Sequence, residues 1–327
     1  LPEVGLWFEC SNVVYGKTSN PFSVERTAGG SSGGEAALVG ALGSPMGIGS
    51  DVGGSIRIPA AFCGVYGHKP SEKIIPLTGH EPLHIHNAAK VKDEFYPITV
   101  VGPIARSTQD LYLIMKTLVG PDQIDRETKA DFHLGPLLPS LNGINVYLLP
   151  NPTIKATLST RPELIESCER AAAILASKGA EIRRLDPEIF YDAARYWFTR
   201  TGGLKREIPF LQHVTGGKGF YPLKELFNFV VGKPNYTFPI YLMLLGEYLK
   251  GPSVPKEKRK QQLQAFRSQI MELLGNNSII LMPVHPRLAP KHNATLLTPF
   301  DWTYTGLFNA LGFPASSAPM GFHSGQA

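Results

Sequence analysis

A glycine- and serine-rich run at residues 29–60 restricts the fold of this 327-residue chain more than any other segment. The run reads GGSSGGEAALVGALGSPMGIGSDVGGSIRIPA, and two of its glycine pairs lead directly into serine, at residues 29–32 and 53–55. Glycine allows positive φ and lets another group approach the backbone closely. Successive glycines can therefore turn their N–H groups toward one point. Such a cluster of N–H groups is typical of sites that bind an anion or an oxyanion.

Two simpler interpretations of this run fit it less well. A Gly/Ser-rich run is most often a flexible linker, but this one contains large apolar residues that a solvated linker would lack: Leu38, Val39, Leu42, Met46, Ile48, Val52, Ile56 and Ile58. A phosphate-binding loop needs a glycine five residues before Gly-Lys-Ser/Thr. The chain has that tripeptide at residues 16–18, with Ser11 at the required glycine position. A nucleotide site is therefore not expected.

The composition predicts a packed globular protein, because 43% of the residues are hydrophobic and 18% are charged. The three cysteines are too far apart in sequence for a zinc motif, and their odd number does not indicate a disulfide framework. The net charge of +5 is scattered, except at residues 256–260, which we interpret as the solvated start of a helix. We therefore expect no nucleic-acid partner. No uninterrupted apolar run of about 18 residues occurs, so no segment is expected to span a bilayer.

A polar stretch at residues 71–98 contains the one histidine group that suggests a metal, formed by His80, His84 and His86. No cysteine or carboxylate cluster lies near these histidines, although structural and catalytic zinc sites usually combine such ligands. We interpret them as surface residues and expect neither a metal nor a cofactor.

Apolar periodicity and capping residues predict strands that alternate with helices. A helix at residues 35–42, with Ser31 or Ser32 as its cap, precedes an extended piece at 46–50. Ser107 is expected to cap a further helix.

The second half of the chain continues this alternation. A strand at residues 144–149, a helix that begins at Pro162 and a strand at 181–185 indicate a largely parallel sheet wrapped by helices. An amphipathic helix at 255–274 and a strand at 278–282 follow. The fold class is therefore α/β.

The run at residues 29–60 resembles the signature of the amidase-signature serine hydrolases. Flanking segments resemble the fatty-acid amide hydrolases, their second type in particular; these segments are residues 11–21, 61–64, 67–71, 286–292 and 304–306. The resemblance extends over nearly the whole chain. It implies the amidase-signature fold, a mixed, largely parallel twisted central sheet with helices on both faces.

The resemblance also implies a catalytic mechanism, in which a serine–serine–lysine relay replaces the more familiar serine–histidine pair. Ser55 would be the nucleophile that forms the acyl-enzyme, and Ser31 would pass its proton to the lysine. The peptide bond between Gly30 and Ser31 would be cis.

The same resemblance assigns supporting roles to other residues of the run. The backbone N–H groups of four consecutive residues would hold the oxyanion: Val52, Gly53, Gly54 and Ser55. Four further residues would support this turn without contacting the substrate: Ser32, Ser50, Asp51 and Arg57. For Asp51 and Arg57 we expect an ion pair or an N–H acceptor rather than a catalytic role.

The lysine of the relay has no counterpart in this sequence. Members of this family carry it well before the first serine pair, and Lys17 and Lys69, which lie nearest to the serines in sequence, do not match its position. We therefore expect residues 1–327 to be a fragment of a single amidase domain, without its N-terminal part and its closing segment. The full-length protein is expected to hydrolyse amides, and this segment alone to be weakly active or inactive.

Residues 219–250 differ from the rest because they contain two apolar pieces separated by Lys233-Pro234. They fit a core helix pair, or a hairpin in a membrane interface beside Lys218 and Lys224 that caps the route to the site. Both interpretations stay open. With the second, the protein would associate with a membrane; with the first, a cytoplasmic location is the alternative. A homodimer is also compatible with the resemblance.

Three functions follow from these observations. The favoured one is hydrolysis of fatty-acid amides, with a lipid amide as the small-molecule partner. The second is hydrolysis of small polar amides, or the glutaminase step of a transamidation complex. The third is a non-catalytic relative that binds lipid or a protein partner.

Overall fold

The computed structural model describes residues 1–80, 98–201, 214–248, 256–323 and 325. In chain order, the strands are β1 (Ser11–Asn12), β2 (Gly16–Lys17), β3 (Ser19–Asn20), β4 (Ser23–Thr27), β5 (Met46–Asp51), β6 (Tyr66–Lys69), β7 (Val100–Ala105), β8 (Asn145–Leu148), β9 (Glu181–Arg184), β10 (Ser278–Leu281) and β11 (Ala315–Ser317). The helices are α1 (Gly33–Gly40), α2 (Arg57–Phe62), α3 (Thr108–Leu118), α4 (Pro162–Ser177), α5 (Ala193–Thr201), α6 (Pro222–Val230), α7 (Phe238–Tyr248), α8 (Lys256–Leu274) and α9 (Thr303–Leu311).

The glycine- and serine-rich run contributes β5 to a four-stranded sheet with the order β11-β6-β7-β5. β5 pairs with β7 in antiparallel register, from Met46 opposite Ala105 to Asp51 opposite Val100. The helices α1 and α2 pack around this sheet through a buried apolar cluster that includes Val39, Ile56 and Ile104. The strand thus ends at Asp51, directly before the second glycine turn.

The first helix of the run begins two residues earlier than predicted, at Gly33 instead of Glu35. Ser32 occupies the position before it but makes no capping hydrogen bond with its side chain. Its hydroxyl donates instead to the Ser50 carbonyl oxygen at 3.4 Å. The predicted serine cap is therefore wrong, because the side chain is used to hold α1 against β5.

A second sheet has the parallel order β10-β8-β9, and β8 and β9 flank α4 in sequence as predicted. Together with the antiparallel four-stranded sheet, it gives the mixed α/β architecture expected from the sequence. The expected cap of α3 is confirmed, since the Ser107 hydroxyl accepts a hydrogen bond from the Asp110 N–H at 3.1 Å.

The helix α9 joins the two halves of the described structure. It is buried along almost its whole length and packs against α5. Its apolar side belongs to the largest buried cluster, with residues of α8 that include Leu263 and Ile270. Its polar side chains Thr305 and Asn309 are also buried and reach the end of β5 and the turn that follows it.

The segment predicted as two apolar pieces forms α6 and α7. A buried cluster is formed by Phe220, which precedes α6, and by Ile240, Tyr241 and Leu244 of α7, and the partly buried Phe229 of α6 packs against it. Other apolar side chains of α6 are exposed, among them Leu223 at 83% and Val230 at 80%. In the part of the chain that the structure describes, no helix is both long and apolar enough to cross a bilayer. Residues 249 and 250 of the predicted cap lie outside that part.

Candidate active site

The two serine turns of the run are in direct contact. The Ser32 N–H donates a hydrogen bond to the Ser55 carbonyl oxygen at 3.0 Å. The peptide bond between Gly30 and Ser31 is cis, which is the isomer that the resemblance implies. Ser31 is buried and Ser55 is half-buried. Within the described ranges, neither hydroxyl has a hydrogen-bond partner, so neither is occupied by a structural contact.

The backbone around Ser31 is held by the segment before β1. A Cβ atom at Gly30 would lie 2.4 Å from the Trp7 carbonyl oxygen and 2.8 Å from the Glu9 nitrogen, so only glycine fits there. The buried Cys10 thiol donates to the Ser31 carbonyl oxygen at 3.1 Å and accepts the Gly33 N–H at 3.2 Å. Burial raises the pKa of this thiol, which keeps it protonated as a donor.

The second turn is built around the carboxylate of Asp51. Its oxygens accept the N–H groups of Gly54 at 2.7 Å and Ile56 at 3.2 Å, and two hydrogen bonds from Arg57, each 2.9 Å long. Burial alone would raise the pKa of Asp51, but the Arg57 guanidinium lowers it to about 2. Asp51 is therefore both an ion-pair partner and an N–H acceptor.

The helix α9 completes this buried polar network. Arg57 donates to the Asn309 side-chain oxygen at 2.6 Å and to the Thr305 carbonyl oxygen at 2.9 Å. The Asn309 amide group donates to the carbonyl oxygen and to one carboxylate oxygen of Asp51, both at 3.0 Å. Asn309 and Thr305 were missed as site residues in the sequence, where only the resemblance of residues 304–306 pointed to this helix.

One predicted oxyanion donor is already engaged. The Gly54 N–H donates to Asp51, so in this structure it is not free to bind an oxyanion, and that part of the prediction is corrected. Across the described residues, the N–H groups of Val52, Gly53 and Ser55 have no acceptor. These three remain as candidate donors.

The carbonyl groups of the same turn are fixed by side chains from distant segments. The Thr305 hydroxyl donates to the Gly53 carbonyl oxygen at 2.8 Å, and the Trp197 indole N–H donates to the Val52 carbonyl oxygen at 2.7 Å. The ring of Trp302 lies 4.6 Å from that of Trp197 and 5.6 Å from that of Phe8. An aromatic wall thus borders the turn on one side.

The structure also locates the two lysines nearest to the serines in sequence. Lys17 is exposed, and its amino group donates to the Asn293 side-chain oxygen at 3.1 Å. Lys69 is buried and donates to the Pro70 carbonyl oxygen at 2.9 Å; burial, together with Arg57, lowers its pKa to about 7. Among the described contacts, neither lysine is hydrogen-bonded to Ser31 or Ser55.

The predicted absence of a metal site concerns residues that are only partly described. His84 and His86 lie outside the described residues, whereas His80 lies inside them. Within those residues, no group of three His, Cys, Asp or Glu side chains is arranged to hold a metal ion.

A cavity of about 420 Å³ lies behind the site rather than at the serines. It is bounded by α4, by residues 281–288 and by the chain near Met320, and its inner wall includes Phe62 of α2. His285 packs edge-on against Phe62, with ring centroids 5.1 Å apart. None of the predicted site residues lines this cavity.

The chain is similar to known proteins over nearly its whole length. Human fatty-acid amide hydrolase 2 is 32% identical over 332 residues, which cover 98% of this chain and 59% of that protein. A glutamyl-tRNA(Gln) amidotransferase subunit of Thermus thermophilus is 28% identical, with 98% of this chain and 67% of that protein covered. A solved structure of fatty acid amide hydrolase has a TM-score of 0.71 at 25% identity, covering 96% of this chain and 51% of that one.

The family model that matches is described as Amidase, and the match extends over residues 1–327. The chain spans about three fifths of the length of the fatty-acid amide hydrolase 2 proteins it matches. The family match and these relatives lead to one conclusion: the chain belongs to the amidase signature family of hydrolases.

Proposed function

We propose that the whole protein is a serine amidase in which Ser55 attacks the amide carbonyl carbon. The observation that supports this most is the turn at residues 51–55. The Val52 and Gly53 carbonyl groups and the Gly54 N–H are hydrogen-bonded to side chains, while the N–H groups of Val52, Gly53 and Ser55 have no acceptor among the described residues. Free donors held by a rigid turn beside a serine hydroxyl are suited to stabilise a developing oxyanion.

In the proposed reaction, the Ser55 oxygen bonds to the carbonyl carbon, and its proton passes through Ser31 to a lysine base. The C–N bond then breaks, the amine leaves with that proton, and water cleaves the acyl ester to restore Ser55. The family resemblance supplies the lysine, and Lys17 and Lys69 do not take its place. The contact between the Ser32 N–H and the Ser55 carbonyl supports the pairing of the two serines.

We propose fatty-acid amides as the substrate class. Similarity to fatty-acid amide hydrolase 2 supports this, and so does the aromatic wall of Trp197, Trp302 and Phe8 beside the turn. The exposed apolar residues of α6, with Lys224 between them, fit contact with a lipid surface. We therefore propose the segment 219–250 as a membrane-facing cap near the substrate route.

The second candidate is an amidase of small polar amides or the glutaminase component of a transamidation complex. It is favoured by the similarity to the glutamyl-tRNA(Gln) amidotransferase protein of Thermus thermophilus, which extends over 98% of this chain. The two candidates share Ser55 as nucleophile and differ in what the acyl group contacts.

One experiment tests the nucleophile and the substrate class together. A fluorophosphonate probe should label native full-length protein at Ser55 and should not label Ser55→Ala. With primary amides of increasing chain length, kcat/KM should rise by up to about fourfold for each methylene that becomes buried. A preference for short amides or glutamine would support the second candidate. Labelling that persists in Ser55→Ala would overturn both, and a native protein that neither labels nor turns over would be a non-catalytic relative.

A further inference from the structure

We infer that Trp197 is a positioning residue that aims the Gly53 N–H at the oxyanion, an inference that rests on the proposed function. Trp197 lies on α5 and is separated from the turn by 145 residues in sequence. Its indole N–H donates to the Val52 carbonyl oxygen at 2.7 Å, at the short end of the ordinary range for such a hydrogen bond.

The effect on Gly53 follows from the geometry of one peptide unit. The Val52 C=O and the Gly53 N–H belong to the same planar peptide group, which is trans here. In a trans peptide these two groups point in opposite directions. When Trp197 holds the carbonyl on its own side, the Gly53 N–H must point away from the indole. That N–H has no acceptor within the described part of the chain.

The peptide unit between Gly53 and Gly54 differs from the one between Val52 and Gly53. Both of its groups are used, since the Gly53 carbonyl accepts from Thr305 and the Gly54 N–H donates to Asp51. It cannot contribute a donor to the reaction. The unit between Val52 and Gly53 is held at one end only, by Trp197, and its other end is left free for a ligand.

Contacts of α5 with neighbouring segments hold Trp197 in position. Arg200, one turn farther along α5, donates to the Ala310 carbonyl oxygen of α9 at 2.9 Å and to the Glu72 carboxylate at 2.6 Å. The indole also packs edge-on against Trp302. A Cβ atom at Gly53 would lie 3.1 Å from the Trp302 ring and 3.5 Å from the Trp197 indole nitrogen, so a bare glycine lets the donor come close.

The test removes this one N–H and asks which state of the reaction is affected. Trp197→Phe keeps an aromatic ring and loses the donor. An acyl trifluoromethyl ketone, which forms an oxyanion when serine attacks it, serves as the probe of the transition state. Tyr112→Phe is the matched control, because it also removes one aromatic donor to a backbone carbonyl, the exposed bond from the Tyr112 hydroxyl on α3 to the Gly135 oxygen at 3.2 Å.

Loss of one oxyanion donor costs about 10²–10³ in kcat, and a donor that is misaligned rather than deleted should cost about tenfold. We expect Trp197→Phe to lower kcat by about that factor, to weaken ketone binding by the same factor and to leave KM within twofold. Tyr112→Phe should stay within twofold in all three. A merely structural role would lower thermal stability without a selective loss of ketone affinity.

A second variant guards against misfolding of the first. Replacing Trp197 by benzothienylalanine exchanges the N–H for sulfur with nearly the same ring shape, and the same tenfold loss is expected. If both variants keep kcat and ketone affinity within twofold of an active native protein, the role of Trp197 is overturned while the proposed function stands. If the native protein neither labels at Ser55 nor hydrolyses an amide, the proposed function itself fails, and this inference fails with it.

Discussion

The turn at residues 51–57 and the helix pair α6–α7 are stabilised by different interactions: a buried network of hydrogen bonds and an ion pair in the turn, and apolar contacts in the helix pair. In the turn, Asp51 and Arg57 are almost completely buried, and their polar atoms are matched by Asn309, Thr305 and backbone N–H groups. In the helix pair, a small apolar cluster closes the inner side, and large apolar side chains face outward on α6.

This difference teaches where each region should be sensitive to change. A buried charge that loses its partner leaves an uncompensated group in a low-dielectric interior, which is strongly destabilising. Replacing an exposed apolar side chain changes the free energy of unfolding little, because that side chain is in contact with water in the folded protein too. The turn should therefore fail after single substitutions, whereas the outer face of α6 should tolerate them and report on binding instead.

The largest effect is expected for Arg57→Met. This change leaves the buried Asp51 carboxylate without its guanidinium, and the free energy of unfolding should fall by about 3–5 kcal/mol. Urea unfolding at pH 7 measures it. Arg195→Met is the control, because the Arg195–Asp192 pair is exposed and should be worth at most about 1 kcal/mol. Equal losses in the two variants would contradict the claim that burial of the Asp51–Arg57 pair makes the turn sensitive to substitution.

A smaller but still large effect is expected for Gly54→Ala. Gly54 has φ +125°, and a Cβ atom there would lie 2.0 Å from the Thr305 hydroxyl oxygen. Backbone strain and overpacking together should cost about 2–4 kcal/mol. Gly143→Ala provides the comparison, since Gly143 has φ +80° but no atom within 4 Å, and only the backbone cost of about 1–2 kcal/mol should remain. Similar unfolding midpoints would show that the collision is relieved without cost.

The stability of the protein should also depend on pH through His285. Burial lowers the pKa of His285 to about 4, from an ordinary value of 6.5. Because the unfolded chain then binds the proton first, stability should fall as the pH decreases from about 6.5 to about 4. Denaturant titrations at several pH values should show a shallower decline in His285→Gln than in the native protein. Parallel declines would mean that His285 does not stay neutral in the folded state.

The smallest effect on stability is expected for Val230→Ser and Leu223→Ser on α6. Both side chains are mostly exposed, so unfolding free energies should stay within about 0.5 kcal/mol of the native value. Sedimentation with phospholipid vesicles should nevertheless decrease, because each change removes apolar surface from the proposed membrane-facing side. Unchanged vesicle binding would remove the cap from the proposal.

The parts of the structure that could be predicted from sequence are those set by neighbouring residues. The two glycine–serine turns, β5, the Ser107 cap and α4 all depend on local patterns, and the structure has them at or near the predicted positions. The helix α1 begins two residues earlier than predicted, and the Ser32 hydroxyl donates to Ser50 of β5 rather than accepting an N–H of its own helix.

The parts that sequence could not supply come from distant segments. Trp197 reaches Val52 across 145 residues, and Asn309 reaches Asp51 across 258. A tryptophan or an asparagine in a helix carries no local sign of such a partner. The Gly54 N–H was assigned to the oxyanion for a related reason, since competition from the Asp51 carboxylate becomes visible only in three dimensions.

Trapping of the acyl-enzyme is the most direct test of the central claim, that Ser55 is the nucleophile. Full-length protein is mixed with a long-chain amide, quenched in acid within one turnover and digested for mass spectrometry. We expect the added mass of the acyl group on Ser55, and we expect Ser31→Ala to lower the rate at which it accumulates. An active protein whose acyl group is found on another residue, or on none, would contradict this claim.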